Sequence, residues 1–296
     1  MPNSGIAQDI ARFGSISSRG ATHPGTAGRM NEDAYLNRPD LGLWVVADGA
    51  GGHQSGEVAS AEVVSALRGI NVGLSAAEML QEVRTRLEAT HEKLRNESEH
   101  RGSGVIMATT VVVLIARADH FACLWAGDSP AYLLRGDVLT KITRDHSLVQ
   151  DLVESGVISE AEAVNHRQAN IITRAVGADH DSLVLDKRTG PLMPGDRLLL
   201  CSDGLSKTLS AGEIAELMSV EDGADAERLV MAAIDARAID NVTAITVEFS
   251  ADDPSQTVEV PSRPRAHAPP RTTEAKEAPA EEHNGTAPDG GAKVSG

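Results

Sequence analysis

The run Leu43-Trp44-Val45-Val46-Ala47-Asp48-Gly49-Ala50-Gly51-Gly52-His53 decides how the rest of the chain is read. Five apolar residues in succession, with no polar residue alternating among them, predict a short strand buried on both faces. The run stops on a carboxylate, so Asp48 is expected where a core strand surfaces. The glycines that follow allow other groups to approach its backbone closely, which is how a metal ligand is presented. Taken alone, the same pattern also describes a strand followed by a glycine-rich turn.

Three further acidic signals extend it. Asn31-Glu32-Asp33 lies just upstream, Leu198-Leu199-Leu200-Cys201-Ser202-Asp203-Gly204 repeats the design of an apolar strand ending in Asp-Gly, and Asp240-Asn241 opens the strand pattern Val242 to Val247. Carboxylates at strand ends, drawn from distant parts of the chain, are what an all-oxygen site for a pair of hard divalent cations requires. The ordered set Asn-Glu-Asp-Ala, Asp-Gly-x-Gly-Gly-His, Gly-Asp-Ser, Ser-Asp-Gly-Leu and Asp-Asn-Val-Thr resembles bacterial members of the metal-dependent type 2C Ser/Thr protein phosphatases, the PPM family. The resemblance runs from about Ser18 to Phe249.

A chain of 296 residues, 41% of them hydrophobic, can bury a substantial core, and the distribution predicts one large domain over residues 1–250 followed by a tail. Aromatic residues are only 2% of the chain, so packing must rest on Ala, Val, Leu and Ile. A formal net charge of −16 argues against nucleic acid as a partner, because phosphate backbones are bound by clustered Lys and Arg. Cys123 and Cys201 both lie in apolar patterns, which predicts buried thiols and no disulfide framework. No apolar run approaches the roughly 20 residues of a membrane span, and the N-terminus lacks a leader pattern. A cytoplasmic protein with no membrane contact is the expectation.

In chain order, residues 1–17 read as a loose arm or a first edge strand. Asn31 to Leu36 and Gly42 to Ala47 read as strands joined across Arg38-Pro39-Asp40. Helices are predicted over Glu57 to Arg68 and from the capping box Ser75-Ala-Ala-Glu78 to about His100. Strands follow at Thr109 to Ala116 and His120 to Ala126, then a hairpin around Arg135-Gly136-Asp137. Capping boxes at Ser147 to Gln150 and Ser159 to Glu162 open two short helices; Ser182 to Arg188 and Asp196 to Ser202 read as strands; Ser210 and Asp225 begin the last helices. From Ala251 the composition turns to Pro, Ala, Glu, Thr and Gly with almost no large apolar residues, so 251–296 is expected to be disordered.

The alternation of strand runs with helix pairs favours an α+β layered architecture over a doubly wound sheet. The resemblance implies a four-layer α/β/β/α sandwich, two central antiparallel sheets flanked by helix pairs, with the metal site at one edge. It also implies two Mn²⁺ or Mg²⁺ ions, with Asp48 bridging them, the Gly49 carbonyl on one, and Asp203 and Asp240 on the other. Glu32 and Asp33 act through bound waters, Asp33 orienting the attacking one, and the segment Asp145 to Gly177 forms a flap beside the site. The implied reaction is hydrolysis of phosphoserine or phosphothreonine on proteins by direct attack of water, opposing a bacterial Ser/Thr kinase.

The chain departs from the family pattern at several positions. The phosphate-gripping arginine five residues before Asp33 is replaced by Gly28, leaving Arg29 one residue late, with Arg19 as a second candidate. Ala50 follows Asp-Gly where some members carry a general-acid His, so protonation of the leaving oxygen falls to water or His53. Lys207 stands four residues after Asp203, where an acid often helps to bind a third ion, so Asp128 makes a weak third site at most. Asp145-His146-Ser147 suggests a nucleophilic triad, but adjacent residues cannot converge on one point and Ser147 already reads as a helix cap. Ten histidines without ligand spacing do not make a zinc site. A second reading, a pseudophosphatase serving as an interaction module, is opposed by the intact Asp33, Asp48, Asp203 and Asp240.

Overall fold

The computed structural model describes residues 7–13, 16–28, 30–51, 55–102, 105–164, 166–178, 182–220 and 225–250. The tail 251–296, Arg29 and His53 lie outside the described residues.

The chain opens with β1 (Ala7–Phe13) and β2 (Ile16–His23), so the first segment is an edge strand rather than a loose arm. β3 (Asp33–Arg38) turns through the 3-10 turn Pro39–Leu41 into β4 (Leu43–Ala50), and Gly42 takes the left-handed conformation (φ 52°) that closes this turn. α1 (Ser55–Arg68) and α2 (Ala76–Arg101) follow, the second opened by the complete Ser75/Glu78 capping box that the sequence predicts. Then come β5 (Ala108–Thr109), β6 (Val111–Arg117), β7 (His120–Ala126), β8 (Ala131–Arg135) and β9 (Val138–Lys141). The two short helices α3 (Leu148–Glu154) and α4 (Glu160–Val164) lead to β10 (Asp186–Pro191) and β11 (Arg197–Cys201). α5 (Asp203–Ser206), α6 (Ala211–Met218), α7 (Ala226–Asp235) and β12 (Val242–Phe249) complete the domain.

One antiparallel sheet has the order β1-β2-β12-β11-β8-β9 and the other β10-β7-β6-β4-β3, with β5 paired to the end of β4. Three apolar layers separate four structural ones. α1 and α2 pack Val63, Leu67, Val83 and Leu87 against Val45, Val113 and Leu124 of one sheet face. Trp44, Val46, Leu114 and Trp125 meet Leu198, Leu200, Ile245 and Val247 between the sheets. On the far side, Ile214, Leu229, Val230 and Ala233 cover Leu199, Cys201 and Ala244. The predicted α/β/β/α sandwich is therefore the observed fold. Trp44 is completely enclosed, with its indole N–H donating to Asn37 Oδ1 at 3.0 Å; burial of so large a ring contributes about 4–6 kcal/mol before entropy is counted.

Local differences from the sequence reading have physical causes. β10 runs from Asp186 to Pro191 rather than from Ser182 to Arg188, because its register is set by β7, with Asp186 opposite Trp125 and Pro191 opposite His120. β10 is an edge strand, where a proline without N–H is tolerated. Ser147 caps α3 through Gln150 N–H, but the Gln150 amide donates to Glu154 instead of returning to the cap, so only half of the predicted box forms. Arg19 is on β2 rather than in a loop, and pairs with Asp225 at the start of α7 at 3.2 Å.

Candidate metal centre

Strand alternation explains why the acidic residues gather. On β4, Trp44 and Val46 face the second sheet, so Asp48, two residues further, points into the same inter-sheet layer where that layer ends. Asp33 sits directly opposite Asp48 in the β3–β4 register. On the other sheet, Leu198 and Leu200 face inward, which brings Ser202 to the same end, and Ser202 Oγ donates to Asp33 Oδ2 at 2.8 Å. The apolar seam between the sheets thus terminates in carboxylates contributed by both.

Backbone hydrogen bonds lock these positions. The Asp48 carbonyl accepts from Thr110 N–H and Thr109 Oγ, each at 2.9 Å, and Asp48 N–H donates to Thr110 Oγ1 at 3.1 Å. Asn241 stitches the two sheets: its Oδ1 accepts from Glu32 N–H at 2.8 Å and its Nδ2 donates to the carbonyls of Pro24 and Met30. Asp240 Oδ1 accepts from Asn241 N–H at 2.9 Å. The glycines serve close approach, as the sequence implies: a Cβ on Gly49 would lie 2.2 Å from the Gly56 carbonyl oxygen, and one on Gly204 would lie 2.0 Å from that of Asn241.

The electrostatics are those of crowded like charges. Burial, reinforced by Asp203 and Asp240, pushes the Asp33 carboxyl up to about 7 against the hydrogen bonds from Thr243 and Ser202. Burial likewise raises Asp48 well above the carboxylate range, helped by Asp33, Asp203, Asp128 and Asp240, and it raises Glu32. Asp128, only 4% exposed, is pushed up to about 6 by burial and by Asp203, with Lys207 pulling the other way. The Lys207 ammonium bonds Asp203 Oδ2 at 2.5 Å and Asp128 Oδ2 at 3.3 Å. Burial disfavours that charge, but the two carboxylates outweigh it and raise the lysine above its ordinary value.

Two enclosed oxygens, Asp33 Oδ1 and Asp128 Oδ1, have no hydrogen-bond partner. Orphaned, buried carboxylate oxygens beside further carboxylates fit a cation, which would offset the desolvation of their ionised form. Among the described residues, no three His, Cys, Asp or Glu side chains close a ligand shell by themselves. Asp33 and Asp48 face each other in the β3–β4 register and both feel the charges of Asp203 and Asp240, while Asn241 joins the Glu32 backbone to Asp240. Arg29 is not among the described residues.

Ser202, Thr243, Thr110 and Asn170 were not singled out from sequence as site residues. Ser202 and Thr243 carried a signal, as members of the Ser-Asp-Gly-Leu and Asp-Asn-Val-Thr motifs, and Ser202 also through its two-residue spacing from Leu200. The triad suggestion also dissolves: buried His146 accepts from Gly127 N–H at Nδ1, contacts Asp186 at 3.2 Å through Nε2 and stacks on Trp125. Cys123 and Cys201 are both buried and unpaired, and burial pushes the Cys123 thiol up to about 12, so neither is a nucleophile at neutral pH.

Comparison with known proteins agrees with this geometry. A family model described as protein phosphatase 2C matches residues 19–232. The serine/threonine phosphatase stp of Listeria innocua serovar 6a is 33% identical over 238 residues, covering 77% of this chain and 93% of that protein. PppA, a key regulatory component of T6SS in Pseudomonas aeruginosa, has a solved structure that matches with a TM-score of 0.72 at 40% identity, over 81% of this chain and 99% of that one. The catalytic domain of the serine/threonine protein phosphatase PstP, solved in complex with two manganese ions, matches with a TM-score of 0.69 at 30% identity, over 83% and 100%. The chain belongs to the protein phosphatase 2C family, and as an enzyme it is a protein serine/threonine phosphatase.

Proposed function

We propose that this chain removes phosphate from phosphoserine and phosphothreonine of protein substrates with the help of two Mn²⁺ or Mg²⁺ ions, reversing the action of a Ser/Thr kinase in the cytoplasm. The observation that carries the reading is the placement of Asp33 directly across from Asp48, with one enclosed oxygen left without a partner. Asp48, Asp203, Asp240 and the Gly49 carbonyl are the groups that would hold the ions. Two such ions, when bound, supply Lewis acidity that makes hydroxide available near neutral pH and offsets phosphoryl charge.

The chain's own residues do the rest. Ser202 fixes one oxygen of Asp33, leaving the other to orient a water for in-line attack. Glu32 lies beside that position, its backbone fixed by Asn241 and its carbonyl accepting from Gly49 N–H at 3.2 Å. Arg29 supplies the phosphate contact. The net charge of −16 disfavours nucleic acid as a partner, and among the described residues no helix is long and apolar enough to cross a membrane.

The test is phosphate release from a phosphothreonine peptide by protein first stripped with a chelator. Release is expected on return of Mn²⁺ or Mg²⁺ and none without them. Full release in chelator would remove the ions from the account, and no release under any ionic condition would remove the reaction.

A further inference from the structure

Lys207 follows directly on α5 and reaches across the edge of the metal centre. Its Nζ lies 2.5 Å from Asp203 Oδ2, 3.3 Å from Asp128 Oδ2 and 3.0 Å from Asn170 Oδ1. Three oxygens from three separate parts of the chain converge on one positive charge: α5, the loop after β7, and the turn that precedes Ile171. Asp128 is 4% exposed, and its remaining oxygen has no partner at all. An ammonium offers three donors and unit charge, so it satisfies one oxygen of each carboxylate and leaves the enclosed Asp128 Oδ1 unmet. A divalent ion there would have two carboxylates and an amide oxygen as ligands, a donor set that suits hard cations.

We propose that Lys207 is a built-in cation, occupying with its ammonium a position that Asp128, Asp203 and Asn170 would otherwise give to an additional divalent ion. Lys207 is thus a positioning residue for the metal centre: it takes Asp203 Oδ2 and confines ion binding to the side of Asp48, Asp240 and the other Asp203 oxygen. The inference rests on the two-ion reading of the site, and it separates this chain from any relative with an uncharged or acidic residue at the same place.

The test counts ions rather than turnover. Full-length wild type and Lys207→Met, stripped with a chelator, are dialysed to equilibrium against about 1 mM Mn²⁺, a concentration that fills sites of modest affinity, and bound manganese per chain is measured. Lys207→Met is expected to hold one more ion per chain than wild type. Lys207→Arg, which keeps the charge, is expected to match wild type, and adding Asp128→Asn to Lys207→Met is expected to cancel the gain. Lys207→Gln repeats the measurement with a polar neutral side chain if the Met variant does not fold. Equal ion counts in wild type and both neutral variants overturn the inference. A wild type that binds no manganese beside a Met variant that binds one upholds the inference and overturns the two-ion reading instead.

Discussion

Replacing Asp33 by Asn is expected to stabilise the metal-free protein at alkaline pH while removing a group the reaction needs. The folded carboxyl of Asp33 titrates near 7 against an ordinary value of 3.8, chiefly because it is buried. A raised acid contributes stability that is fully present below the unfolded value and lost as pH climbs through the folded one. The loss therefore spreads between about pH 4 and pH 7. Metal-free wild type gives up on the order of a few kcal/mol over that window. Asn does not ionise, but its amide places an N–H where Asp33 Oδ1 has no partner, costing about 1–3 kcal/mol. The net expectation at pH 8 is a variant more stable than wild type by about 1–3 kcal/mol, with the order reversed at pH 4. Urea unfolding in chelator at the two pH values measures both. A variant no more stable than wild type at pH 8, or a wild-type stability flat from pH 4 to pH 7, refutes the reasoning.

Other outcomes follow from the same site. Asp203→Asn and Asp48→Asn are each expected to abolish turnover on a phosphopeptide while the fold, followed by circular dichroism, persists; near wild-type turnover of Asp203→Asn in Mn²⁺ would show the ligand assignment to be wrong. Arg29→Ala is expected to raise the Michaelis constant for a phosphopeptide by the equivalent of roughly 1.5–3 kcal/mol, the size of a lost charge-assisted hydrogen bond. Arg19→Ala is expected to leave that constant alone, because Arg19 is tied to Asp225. Its effect appears instead as a stability loss of at most about 1 kcal/mol. Deleting 251–296 is expected to leave turnover on a small phosphate ester within about twofold and the melting temperature intact, since the segment lacks core residues; a collapse in melting temperature would contradict this.

The sandwich was legible because its signals are local and strong. The uninterrupted run Leu43 to Ala47 reads as a strand covered on both faces, and the capping boxes at Ser75 and Ser210 mark helix starts at the residues where they occur. The site was legible as a set of strand ends, yet which carboxylates touch is a tertiary fact. The register that sets Asp33 against Asp48 follows from the short Pro39–Leu41 turn, whereas the approach of Asp203 to both depends on how the two sheets stack. Sequence could place Lys207 near an acid but not show that it takes oxygens from Asp128 and from the distant Asn170. The shift of β10 was hidden because Ser182 to Arg188 is no less strand-like than Asp186 to Pro191; pairing with β7, a non-local contact, chose between them.

The central claim is that Asp48, Gly49, Asp203 and Asp240 hold a pair of divalent ions at the end of the inter-sheet seam. Anomalous X-ray scattering from crystals grown with Mn²⁺ tests it most directly. Two peaks about 4 Å apart are expected, both against the Asp48 carboxylate, one shared with the Gly49 carbonyl and the other with Asp203 and Asp240. A single peak, or peaks held by other residues with Asp48 unliganded, would contradict it.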